Sequence, residues 1–417
     1  MAKITLILPK TRRGELDHPF PPLGILYLGT ALQKRLIATE VIDGDLLPAE
    51  EYEALLSNVQ GKLVGLSSTF FHFKEIIRIL PLLKMQEKLI VIGGPGISSL
   101  IEKEKFLKET GVDFLLEGEA EESLVQLAEQ LDDEKRLREV PGLHRLVNGT
   151  LESEGTVPRV DVNKYPLPSR NLINIDDYTK QWGNYTGMII TRGCPYTCTF
   201  CDLSVVGRKV RYREIGNVIY ELNVLANAGL DDVFIFDDLF TVNKHYLRLF
   251  AMEKRKACNR LTWGSNARVN LVDDEFCQLV KSSGCTRLFM GIESGSQRML
   301  DKYKKGITRE QIINAFNTCH EYGIEPKAYL LIGHPTESWE DIQMTSDLIK
   351  KIKPGYVDIS VLIPIPGTKL YEETKPLINH DKLMNLDTRQ AGTVYKELQY
   401  DIKAAQRLLQ EAFESTR

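Results

Sequence analysis

Cys194, Cys198 and Cys201 share one short run, Arg192-Gly193-Cys194-Pro195-Tyr196-Thr197-Cys198-Thr199-Phe200-Cys201. No cysteine precedes them, and Cys258, Cys277, Cys285 and Cys319 are scattered downstream. Thiolates are soft ligands suited to iron–sulfur clusters, and an electron-carrying four-iron cluster uses four of them. Three on one loop can hold three irons and leave the fourth open to a substrate or cofactor. Zinc suits the pattern less well, because a structural zinc site takes four ligands in closely spaced pairs. The nearest downstream histidine is His245, and there is no second pair. A disulfide with a spare thiol would need an oxidising compartment. One tight group plus four scattered cysteines is the usage expected in a reducing cytoplasm.

The Cys-x3-Cys-x2-Cys spacing, with Phe200 just before the last cysteine, resembles the signature of radical S-adenosylmethionine (SAM) enzymes. The resemblance implies a [4Fe-4S] cluster whose open iron chelates the methionine end of SAM. An electron from an external donor such as flavodoxin or ferredoxin then splits SAM into methionine and a 5′-deoxyadenosyl radical. That radical takes hydrogen from a carbon that acid–base chemistry cannot activate. Asp237-Asp238 can accept the α-ammonium of SAM by a charge-assisted hydrogen bond. Arg268 offers a fork to a carboxylate, Glu293 is placed for ribose hydroxyls, and Phe200 for adenine. Plainer roles exist: Asp237-Asp238 can cap the following helix, and Arg268 can be a surface residue. His334 can face substrate but is expected rather to be solvated in its loop, and Lys304-Lys305 and Lys350-Lys351-Lys353 to form solvated faces. The four scattered cysteines are expected to pack as small hydrophobes.

These residues need strands to carry them. From about residue 185, apolar runs at Met188–Thr191, Val233–Phe236, Thr262–Asn266, Leu288–Gly291, Lys327–Leu331 and Asp358–Leu362 alternate with helical stretches at Asn217–Ala228, Lys244–Ala257, Asp273–Ser283, Arg309–Tyr322 and Trp339–Lys351. Six strand–helix units predict a partial (β/α)6 barrel over 185–375, with chemistry at the carboxyl ends of its strands. Residues 376–417 form a short tail containing an amphipathic helix over Lys396–Phe413.

Residues 1–145 show a second alternation, with strands expected at Ile4–Leu8, Glu40–Ile42, Leu63–Leu66, Leu89–Ile92 and Asp113–Leu116. Helices are expected at Gly24–Lys34, Ala49–Val59, Phe73–Leu83 and Ser98–Glu109. That alternation argues for an α/β parallel sheet with ligands at the strand ends. Ser67-Ser68, Gly93-Gly94-Pro95 and Glu117-Gly118-Glu119 stand there. The order of Pro21-Pro22-Leu23-Gly24, Gly93-Gly94-Pro95, Asp113 with Glu117-Gly118-Glu119, Pro141-Gly142-Leu143 and Tyr165-Pro166 resembles the Rossmann-like domain of cobalamin-dependent radical SAM enzymes. The resemblance implies cobalamin held by Ser67, Ser68, Gly93, Gly94, Pro95, Glu117, Gly118 and Glu119. Many cobalamin proteins carry Asp-x-His-x-x-Gly to ligate cobalt from below. This chain has no such motif, and His18 and His72 are its only histidines before residue 140. Residues 146–184, punctuated by proline, are expected to link the domains.

The chain has 417 residues, 43% hydrophobic and 26% charged, with formal net charge −4. That balance gives no global basic field for nucleic acid or anionic membrane, and no apolar run of spanning length occurs. The expectation is a cytoplasmic, cobalamin-dependent radical SAM methyltransferase acting on an unactivated carbon of a small molecule. A radical oxidoreductase or lyase, catalysing dehydration, ring closure or rearrangement, is the alternative. A tRNA methylthiotransferase is disfavoured, because its second cluster needs cysteines before Cys194.

Overall fold

The computed structural model describes residues 3–11, 20–257, 260–384, 386 and 392–417. His18 and Cys258 lie outside the described residues. Two compact units form. One takes the described residues up to Gly183 together with Asp202–Gly207, and the other takes Asn184–Cys201 and nearly all of the chain from Arg208 onward.

In the first unit the strands are β1 (Ile4–Leu8), β2 (Thr39–Asp43), β3 (Leu63–Ser67), β4 (Leu89–Gly93), β5 (Phe114–Leu116), β6 (Leu143–Val147) and β7 (Thr150–Ser153). They lie in the order β2-β1-β3-β4-β5-β6-β7. The first five are parallel, which is the doubly wound arrangement. Their near-continuous apolar runs suit strands covered on both faces, and Ile7, Val64, Leu66, Ile90, Ile92 and Leu115 are buried. The segment expected as one helix over Ser98–Glu109 is divided between Pro95–Ser98 and Lys103–Thr110.

The antiparallel hairpin β6–β7 turns on Asn148-Gly149, both with positive φ (52° and 78°). Such a two-residue turn follows the twist of its strands. The hairpin carries the sheet past residue 145, and the stretch expected as a linker folds onto this unit. Tyr178 donates its hydroxyl to Asp43 at 2.7 Å, Leu172 packs where a side chain at Gly29 would stand, and Pro158 lies against Gly118.

In the second unit, β8 (Tyr185–Met188), β11 (Asp232–Ile235), β12 (Thr262–Ala267), β13 (Cys285–Glu293), β14 (Glu325–Ile332) and β15 (Tyr356–Val361) form an all-parallel sheet in sequential order. Helices join consecutive strands, and β8 and β15 remain edges, so the barrel is partial. Alternate side chains such as Val233, Ile235, Trp263, Leu288, Met290 and Leu330 enter the core shared with those helices. Cys277, Cys285 and Cys319 are buried there as expected. A short antiparallel ribbon, β9 (Thr191–Arg192) with β10 (Arg211–Tyr212), brackets the cysteine loop. The tail helix begins at Ile402, later than expected, because Asp401 caps it by accepting from the N–H of Ala404 at 2.7 Å. No described helix is long and apolar enough to cross a membrane.

Candidate active site

Both ends of the cysteine loop are clamped from strand ends. Asp237, just past β11, accepts from the N–H of Ile190 at 2.7 Å, the N–H of Thr191 at 2.6 Å and the Thr191 hydroxyl at 2.7 Å. It is buried, and burial pushes its carboxyl up to about 7. This differs from the expected role. Asp237 is neither a helix cap nor open to an ammonium ion, because its oxygens fix the backbone that leads into the loop. Asp238 remains exposed and accepts from the N–H of Gly193 at 3.0 Å. Past β10, the buried guanidinium of Arg213 bonds Glu221 at 2.7 Å and the carbonyl of Ile189 at 2.5 Å. A buried pair of this kind is costly to break by removing one partner.

Within the loop, the Thr199 N–H donates to the carbonyl of Tyr303 at 3.0 Å, and its carbonyl accepts from the N–H of Leu370 at 2.9 Å. Cys194 and Cys198 are half-buried and Cys201 is exposed. Desolvation raises the Cys194 thiol, and Asp238 and Cys198 add to the shift. At Cys201, desolvation and the charges of Cys198 and Cys194 push the thiol up to about 12. The three thiols therefore lie in mutual electrostatic range, and bound cations would favour their thiolates. Among the described residues no three His, Cys, Asp or Glu side chains converge on a single-ion site. Thiolates of a four-iron cluster need not converge on one point, since each binds a different iron.

Arg268, at the end of β12, is buried, not a surface residue. Its guanidinium stacks 3.7 Å from the Tyr196 ring centroid and reaches Cys198 Sγ at 3.8 Å. Its Nε is buried without a partner, as is Oδ1 of Asn266, whose amide donates to the carbonyl of Asp237 at 3.1 Å. A buried unpaired donor and acceptor are costly unless a ligand completes them. These orphans beside three thiols fit a cluster and the amino-acid end of SAM. Asn266 was not singled out from the sequence, although it stands in the same segment as Arg268.

Glu293 ends β13 with φ 59°, after a shift in register past Gly291. Its carboxylate meets Lys305 Nζ at 2.6 Å. Lys305 is thus buried, contrary to its expected solvated face, whereas Lys304 is exposed. Phe200 meets Tyr303 edge-on at 5.5 Å, and Lys305 Nζ lies 5.9 Å from the Phe200 ring centroid. Phe200, Arg268, Glu293 and Asp238 therefore gather around the cysteine loop at neighbouring strand ends.

His334 is also buried, not loop-solvated. Its Nδ1 accepts from the N–H of Thr336 at 3.1 Å, which places the proton of the neutral ring on Nε2. Burial holds its pKa down at about 4. Glu337 beside it accepts from the N–H of Gly333 at 2.8 Å and from the Tyr400 hydroxyl. Burial pushes Glu337 up to about 7.

In the first unit the expected cobalamin residues divide. Ser68 donates N–H and hydroxyl to the carbonyl of Gly93 at 2.7 and 2.9 Å, and a side chain at Gly94 would strike the Ser68 carbonyl. Glu119 accepts from the N–H of Val160 at 2.6 Å, while Pro158 fills the space beside Gly118. Glu117 is held below its ordinary range, mainly by His144 at 3.0 Å and also by Lys103 at 3.3 Å. Ser68, Gly94, Gly118, Glu119 and Glu117 thus have structural partners. Ser67 and Gly93 close the β3–β4 ladder at its carboxyl end, and a Cβ on Gly93 would make only ordinary contacts with Leu116. Pro95 opens the short helix that follows. His72 is buried and uses Nδ1 to accept from the N–H of Thr69 at 2.8 Å.

Residues 188–349 match the model of the Radical SAM superfamily. The chain therefore carries a Radical SAM domain over those residues. This radical SAM enzyme is 27% identical over 403 residues to an uncharacterized methyltransferase of Pyrococcus horikoshii, covering 94% of this chain and 86% of that one. It is 26% identical over 393 residues to the anaerobic magnesium-protoporphyrin IX monomethyl ester cyclase of Cereibacter sphaeroides, covering 89% of this chain and 64% of the cyclase. Its fold is similar to that of the radical SAM methyltransferase TsrM of Kitasatospora setae, solved with cobalamin and a [4Fe-4S] cluster (TM-score 0.76, 20% identity, 90% of this chain and 75% of that one).

Proposed function

We propose that this enzyme is a cobalamin-dependent methyltransferase that acts through a 5′-deoxyadenosyl radical on an unactivated carbon of a small molecule. The observation that carries the reading is the thiol loop beside the unpaired Arg268 Nε and Asn266 Oδ1, with Glu293 on the next strand end. Bound there, the cluster supplies the electron that cleaves SAM, and a corrin in the first unit supplies a methyl-carrying metal. Cys194, Cys198 and Cys201 would hold the cluster. Arg268 and Asn266 would take the carboxylate and ammonium of SAM, with Asp238 as a second acceptor. Glu293, oriented by Lys305, would bind the ribose, and Phe200 would lie along the adenine. Gly93 and the hydroxyl of Ser67, at the carboxyl end of the β3–β4 ladder, are the first-unit groups best placed for cobalamin. His72 and His144 both have partners, which supports cobalamin without a histidine below cobalt.

The test is anaerobic reconstitution with iron, sulfide and hydroxocobalamin, followed by the visible spectrum and metal analysis. One cobalamin beside about four irons, and S-adenosylhomocysteine formed together with 5′-deoxyadenosine, are expected. The similarity to a cyclase favours one second reading, radical ring closure. In that case 5′-deoxyadenosine would form without S-adenosylhomocysteine.

A further inference from the structure

The radical reading requires an electron from outside, and this inference rests on that reading to ask where the electron enters. Thr199 stands between Cys198 and Cys201, held by the carbonyl of Tyr303 and the N–H of Leu370. The chain neighbours of those two residues are Lys304 and Lys369, both exposed. Two exposed lysines are therefore brought next to the cysteine loop from positions far apart in sequence. Because Tyr303 and Leu370 both bond the single residue Thr199, their neighbours Lys304 and Lys369 are brought close to one another. Lys369 has Glu373 at 3.6 Å, but among the described residues no carboxylate stands within ion-pair distance of Lys304. Two ammonium groups side by side repel one another and would be stabilised by an anionic surface. The chain carries a net charge of −4, so an acidic protein gains little from it except at a local cationic site.

We propose that Lys304 and Lys369 form the docking point for a small acidic electron-carrier protein beside the cysteine loop. The reduced carrier loses one electron and the cluster gains it; no atom is transferred. The test compares the cluster-loaded wild type with Lys304→Glu/Lys369→Glu by the rate of cluster reduction, followed by loss of visible absorbance. Reduced flavodoxin, at low and high salt, is the protein donor, and photoreduced deazaflavin is the small-molecule donor. With flavodoxin the variant is expected to react about tenfold more slowly and to lose most of the salt dependence. With deazaflavin the two proteins should react equally. Equal flavodoxin rates, or a deazaflavin rate that falls in parallel, would overturn the proposal. Failure of deazaflavin to reduce even the wild type would overturn the radical reading and the docking site with it.

Discussion

Lys305 Nζ meets Glu293 Oε1 at 2.6 Å in space that exists only because residue 291 is glycine. A Cβ on Gly291 would stand 2.3 Å from that oxygen and 2.7 Å from that nitrogen. Both are ends of flexible side chains, so they would move and the fold would survive. Gly291→Ala is therefore expected to weaken SAM binding about tenfold, roughly 1.4 kcal/mol, with little change in melting temperature. Equilibrium binding of SAM to the cluster-loaded protein measures it. Unchanged affinity would remove Glu293 from the SAM site.

Asp237 acts differently, because its partners are backbone donors. In Asp237→Asn an amide NH2 would face at least one N–H, leaving a buried donor unpaired. The expected cost is about 2–4 kcal/mol, read as a lower urea midpoint. Iron content after reconstitution should fall as well, since Ile190 and Thr191 lead into the loop.

Glu337 gives stability a pH dependence of defined sign. Its folded pKa, about 7, lies above the ordinary value of 4.5. Folding therefore favours the protonated acid, so stability is highest at low pH and declines as pH rises from about 4.5 through 7. The difference sets an upper limit of about 3 kcal/mol. Asp237, raised in the same direction, contributes equally to both proteins being compared. Thermal midpoints from pH 5 to 8 should thus fall less steeply for Glu337→Gln than for wild type. Parallel curves would refute the assignment.

Gly295 approaches another element closely without a positive φ. A Cβ there would meet the carbonyl oxygen of Met344 at 2.3 Å and backbone carbons of Met344 and Thr345 at 2.6 Å. Backbone cannot step aside as a side chain can, so Gly295→Ala is expected to cost about 2–3 kcal/mol. Denaturant unfolding measures it.

The cysteine loop and most strands were legible because each is a local signal: three thiols in one run, or a continuous apolar stretch between turns. The β6–β7 hairpin was also locally encoded, by Asn148-Gly149 between alternating residues, but the proline-rich stretch after it drew the domain boundary to 145. The roles of Asp237 and Lys305 were not legible. A carboxylate followed by another carboxylate, and a lysine beside a lysine, look solvated until tertiary structure buries one of each pair. Asn266 was hidden for the same reason, since an unpaired amide oxygen exists only once Asp237 and β12 are in place. Glu337 depends on Tyr400, more than sixty residues later.

The grip on Thr199 by Tyr303 and Leu370 also sets an order of events during synthesis. A ribosome that has made Cys201 has supplied all three thiols but neither of the backbone groups that shape the loop. At ordinary elongation rates Leu370 follows roughly 10–30 s later. The loop in its final shape is therefore available for iron–sulfur insertion only after Leu370 has been made. In that interval the nascent chain carries three thiols without their fold, and it is most exposed then to oxidants and to competing metals.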